Sequence, residues 1–133
     1  MTTFTFGITY RGVTGGRTGP LTAPIAGTTD DPLYQTERFG TFAYRIPVVN
    51  GSYRVTLHFA EIFWTEAGKR VFDVHVEGAQ VIDDLDIWSQ AGKDNVHLVI
   101  VWPVNVTDGV LDIAFTTVLD NAKVSAIEVV SGN

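Results

Sequence analysis

The chain has 133 residues, no cysteine, and a formal net charge of -6 from nine Lys and Arg against fifteen Asp and Glu. That length suits a single domain, residues 1–133, which buries about two thirds of its unfolded surface and needs neither disulfide nor metal to hold a core. Scattered cations on an acidic chain argue against a nucleic-acid partner, which draws on clustered Lys and Arg; no apolar run is long enough for a membrane helix, and the start MTTFTFGITYRG lacks the basic-then-apolar pattern of an export signal, which is therefore expected outside this chain.

Phe4, Phe6, Ile8 and Tyr10 alternate with Thr5, Gly7, Thr9 and Arg11, which predicts a first strand. Gly12 to Asp31 holds five glycines and two prolines among many threonines and reads as a long loop. Long loops within compact domains are usually functional. Phe42 to Val48 alternates as a strand that stops near Pro47, and Asn50-Gly51 is a hairpin signal. Tyr53, Val55, Leu57 and Phe59 then alternate with Arg54, Thr56, His58 and Ala60, and Phe72, Val74 and Val76 alternate with Asp73, His75 and Glu77. Each set has the period of a strand with one buried face.

Between those two strands, Glu61 to Lys69 is too long for a two-residue turn and carries Phe63 and Trp64 where turn residues would be expected. Gln80 to Asn95 reads as a polar connection with Asp83, Asp84, Asp86, Trp88 and Gly92. Three more strands are predicted at Val99 to Val106, Val110 to Phe115 and Val124 to Val130, with Asp108-Gly109 turning between the first two. No stretch of ten residues has helical periodicity, so the chain reads as all-β, with antiparallel strands packed as two sheets.

The run His58-Phe59-Ala60-Glu61-Ile62-Phe63-Trp64, followed by Arg70 to Val74 and Gly78, resembles the malectin and malectin-like carbohydrate-binding domains. Leu33 to Gly40, Asp84-Leu85-Asp86-Ile87 and Asp120 to Glu128 extend the resemblance in the family's order over roughly residues 28 to 130. It implies a jelly-roll-like antiparallel β-sandwich that binds short glucose-type oligosaccharides without catalysis and without a cofactor. It further implies a sugar site at Phe39, Phe63, Trp64 and Asp120, which stand where the family carries its aromatics and its loop acid. The family's opening Asn-Ala-Gly-Gly is absent, and Arg17 to Leu21 offer no aromatic where the family commonly has Tyr.

Sugar recognition needs aromatic faces for C-H surfaces and a few carboxylates or amides for hydroxyls, and the four residues supply both. A packed satellite cluster is the plainer reading of Phe63 and Trp64. Glu61 with Asp120 could instead form a glycosidase carboxylate pair, against which stands a structural Glu61 paired with Arg38 or Arg70. Asp83, Asp84 and Asp86 with Asp30 and Asp31 offer oxygen ligands but lack EF-hand spacing, so a solvated acidic turn is expected and no metal. The single His58, His75 and His97 lack zinc-helix spacing. Strand-rich edges leave a protein-interaction module or homo-oligomer as a third reading. The expected setting is extracellular or at the cell surface, within a larger bacterial protein.

Overall fold

The computed structural model describes residues 3–7, 13–20, 24–29 and 31–132. The strands are β1 (Thr3–Gly7), β2 (Val13–Pro20), β3 (Thr36–Pro47), β4 (Gly51–Ala60), β5 (Val71–Val76), β6 (Ala79–Leu85), β7 (Val96–Val106), β8 (Val110–Leu119), β9 (Ala122–Val124) and β10 (Ala126–Ser131), with short helices α1 (Asp31–Tyr34) and α2 (Ile87–Ala91). One sheet runs β1-β10-β4-β7 and the other β2-β3-β8-β5-β6, with β9 also beside β3. Every strand pair is antiparallel. The β3–β4, β4–β5 and β7–β8 connections each cross from one sheet to the other, which gives the jelly-roll-like sandwich.

Alternation in the sequence fixes which side chains meet between the sheets. Val55, Leu57 and Phe59 from β4 are fully buried against Phe72 and Val74 from β5 and Leu111, Ile113 and Phe115 from β8. The ring of Phe59 meets that of Phe72 edge-on at 5.6 Å, and Phe42 stacks on Phe115 at 4.6 Å. A smaller cluster of Ile25, Tyr34, Ala60 and Ile62 lies beneath the connection after β4. Connections gather at the two ends of the sandwich, which brings sequence-distant loops together.

Four expectations change. Asn50-Gly51 closes no hairpin, because β3 and β4 lie in different sheets. Gly12 to Asp31 is not loop throughout, because β2 pairs with β3 from Val13 to Pro20 through a bulge between Gly15 and Arg17. The glycines that suggested a loop make the bulge: Gly16 has φ +72, and a Cβ there would lie 2.9 Å from the Phe39 carbonyl oxygen. Gln80 to Asn95 is likewise ordered, as β6 and α2. The hairpin into β6 turns at Glu77-Gly78, both at positive φ, and Asp86 caps α2 by accepting from the Ser89 N–H. The final strand is two, because Ser125 leaves the sheet to donate its N–H to the His58 carbonyl. Of the first predicted strand, Ile8 to Arg11 lie outside the described residues. Among the described residues no helix is long and apolar enough to cross a membrane.

Candidate functional site

The connection after β4 takes its shape from one carboxylate. Glu61 closes β4 and is completely buried. Its Oε1 accepts from Arg70 Nε at 2.7 Å, and its Oε2 accepts from the backbone N–H groups of Phe63 at 3.2 Å and Trp64 at 3.3 Å. A buried charge survives only when paired and hydrogen-bonded, and here the bonds that satisfy it also turn the chain sharply. Ile62 therefore points into the small core cluster while its two successors point outward. Of the two partners considered for Glu61, the structure selects Arg70. Asp86 holds the far end of the connection, accepting from the Gly68 N–H at 2.6 Å.

Phe63 is 66% exposed, and its ring stands perpendicular to that of Trp64 at 4.8 Å. Trp64 is half-buried and its Nε1 donates to Asp120 Oδ2 at 3.1 Å. The same oxygen lies 3.4 Å from Arg70 Nη1, which also donates to the Asn121 carbonyl at 2.7 Å. Asp120 sits at φ +63 in the turn from β8 to β9, a conformation Asp tolerates better than most residues. Arg70 thus joins two loops that are about fifty residues apart in sequence.

Phe39 lies next door. It sits in β3 opposite Arg17 of β2 and Lys123 of β9. With Gly16, Arg17, Gly40, Thr41 and Asn121 it lines an open depression of about 420 Å³. Asn121 follows Asp120 directly, so the depression adjoins the aromatic corner. Below it, the fully buried Lys123 contacts Glu37 Oε1 through Nζ at 3.1 Å. Burial pulls the Lys123 ammonium below the ordinary lysine range, opposed by the carboxylates of Glu37 and Glu61.

The structure brings Phe63, Trp64 and Asp120 into one contact cluster and sets Phe39 beside it. Arg70, Asn121, Gly16 and Arg17 were not among the expected site residues. Arg70 had a signal in the sequence, since a strand-end Glu needs a cation nearby. Arg17 had none, because its strand was hidden in a glycine-rich stretch. Glu37 and Arg38, adjacent in sequence, part company: Glu37 turns inward to Lys123, while Arg38 donates to the Gly15 carbonyl.

The acidic residues weighed as oxygen ligands do not form one set. Asp86 is a helix cap, and Asp83 and Asp84 cluster with Asp73, whose Oδ1 accepts from the Asp84 N–H. Asp30 lies outside the described residues. His58 is bonded through Nδ1 to the Tyr34 hydroxyl at 2.8 Å, and His97 stacks on Phe59.

A family model described as "Malectin domain" matches residues 10–127. Malectin of Mus musculus is 36% identical over 120 residues, covering 77% of this chain and 41% of that protein. The chain thus spans about two fifths of the length of that relative. Among solved structures, a Bacteroides uniformis β-glucuronidase aligns with TM-score 0.79 at 21% identity, over 90% of this chain and 14% of that one. The ANXUR1 extracellular domain of Arabidopsis thaliana aligns with TM-score 0.76 at 14% identity, over 93% of this chain and 39% of that one. At such identities these two likenesses speak to the fold alone.

Proposed function

The chain belongs to the malectin domain family, and on that premise we propose that it is a non-catalytic carbohydrate-binding module for short glucose-type oligosaccharides. The observation that carries this reading is the exposed Phe63-Trp64 corner with the Asp120 carboxylate bonded to its indole. A pyranose face stacked on the aromatics would present its hydroxyl edge to Asp120 and, across the adjoining depression, to Asn121 and Arg17. Phe39 contributes an apolar wall without the hydroxyl that a Tyr would bring. Arg17 supplies planar donors on the side where the aromatic is missing, which tilts the site toward hydroxyl recognition rather than stacking there.

The glycosidase reading is disfavoured by the same geometry. Glu61 is sealed from solvent and occupied by Arg70 and two backbone N–H groups, so it has no free oxygen for a glycosidic bond. The setting that fits is an extracellular glycan-handling protein of which this module is one part.

The test is calorimetric titration with a panel of glucose disaccharides on wild type, Trp64→Phe, Trp64→Ala and Asp120→Ala. Losing the carboxylate should weaken binding by about 1.5 to 3 kcal/mol, and Trp64→Ala by roughly 1 kcal/mol or more, with Trp64→Phe between it and wild type. Binding undiminished in both Trp64→Ala and Asp120→Ala would move the sugar elsewhere, and no binding to any glycan would end the proposal.

A further inference from the structure

The four-stranded sheet ends on β7, and this edge differs from the two edges of the other sheet. β6 carries Asp83 and Asp84, and β2 is broken by a glycine bulge and carries Arg17 and Pro20. Charge, bulges and proline are the usual means by which proteins blunt an edge. β7, VHLVIVWPVNV, is eleven residues long and holds no Lys, Arg, Asp or Glu, and its own proline and register shift fall only after Val101. Val99 and Val101 pack on the core, and the opposite side presents Leu98, Ile100 and Trp102, all about half exposed or more.

The free part of the edge is bounded on both sides. At its start the Val96 N–H donates to the Ala26 carbonyl, and Ala26 bridges Asn95, so that end is covered. Toward its end Pro103 has no N–H to offer. Among the described residues nothing pairs with β7 on the side away from β4 between His97 and Trp102, and the middle of its exposed apolar row, Leu98, Ile100 and Trp102, is Ile100.

We propose that the partner of this edge is a second copy of the chain, paired antiparallel through β7 about a two-fold axis at Ile100. That register sets Ile100 against its own counterpart and Leu98 against the other copy's Trp102, twice over, so the apolar row is self-complementary. Directly opposed aromatic and branched side chains are the pairs that stabilise antiparallel strands. The axis also closes the assembly at two copies and joins two four-stranded sheets into one of eight. A chain of net charge -6 repels its own kind, and an uncharged strand is the place where two copies approach most easily. Six residues per copy cover on the order of 500 Å², at the small end of specific interfaces, so the dimer should be weak and concentration-dependent.

Sedimentation velocity from about 5 µM to about 1 mM should show the mass rising from 14.5 kDa toward twice that value and no further. Ile100→Lys puts like charges on the axis and should hold the protein monomeric throughout, as should Ile100→Glu. An equimolar mixture of the two should dimerise again, because only residues that face each other across the axis can be rescued by opposite charge. Ile100→Thr keeps the β-branch and should weaken the dimer about tenfold with an unchanged unfolding midpoint. A mass fixed at the monomer value overturns the proposal, as does growth beyond the dimer, a dimer indifferent to Ile100→Lys, or a mixture that fails to restore it.

Discussion

Glu61→Gln replaces a buried carboxylate by an amide of nearly the same shape, and the structure says why this small change should be costly. Arg70 Nε and Nη2 and the N–H groups of Phe63 and Trp64 approach the carboxylate from all sides, so every neighbour is a donor. An amide has one oxygen and one NH₂. Whichever way it turns, its NH₂ faces donors in a site with no solvent exposure, and the Arg70 guanidinium, itself 5% exposed, loses its buried counter-charge and keeps only the more exposed Asp120. Removing one partner of a buried ion pair costs about 3 to 5 kcal/mol. For a domain of this size that corresponds to a fall in melting temperature of roughly 10 to 20 °C. The assay is urea unfolding followed by circular dichroism, with the melting temperature as a second readout. A loss below about 1 kcal/mol would refute the reasoning, since it would mean that the carboxylate is neither sealed nor needed to pair Arg70. An enzyme using Glu61 would show the reverse pattern, with turnover lost and stability kept.

Lys123 and Glu37 form the second buried pair. Lys123→Met should destabilise by about 3 kcal/mol because Glu37 is left without its counter-charge, while Lys123→Met with Glu37→Leu should recover most of that loss. Additive losses in the denaturation cycle would show that the two side chains do not act as a pair. His58 and His97 are both held below their ordinary value of 6.5, chiefly by burial. The unfolded chain therefore takes up protons first as the pH falls, so the stability present above 6.5 drains away from there toward the lower folded-state values. Urea midpoints should drop between about pH 7.5 and about pH 5.5, with part of the drop removed by His97→Phe, which keeps the stack on Phe59. Midpoints flat across that interval would contradict the assignment.

The inner faces of the central strands were legible because alternation is a local signal and Val55, Leu57, Phe59, Phe72 and Val74 are buried as it requires, although Thr56 and Ala60 on the other face of β4 are buried too. Other features depend on contacts that no local pattern carries. Nothing in VTGGRTGP announces a strand, since Gly15 and Gly16 are poor strand formers and are present for a bulge that only the backbone of β3 explains. β6 was obscured because Asp83 and Asp84 lie exposed at a sheet edge, where charge is an asset rather than a fault. In the candidate site, Phe63 and Trp64 stood out as aromatics in a turn. Arg70 was legible only as one of two partners for Glu61, because its hold on the Asp120 turn shows only once the two loops are seen to meet on it.

Arg70 explains how a loop of nine residues holds two aromatics in fixed directions. The connection from Glu61 to Lys69 has no ladder of its own, so its first N–H groups need acceptors or they would be stranded beside a core. A well-packed apolar residue at 61 would suit the neighbouring Ala60 and Ile62, and would satisfy none of those donors. Glu61 satisfies two of them but then requires a buried cation, and the cation that fits, Arg70, has donors left over, which reach Asp120 and the Asn121 carbonyl. Asp120 in turn receives the indole N–H of Trp64. The circuit closes on the residue it began by orienting. The buried charges therefore place the aromatic corner and the Asp120 turn together, and a change at Glu61 or Arg70 should disturb both even though neither side chain is exposed.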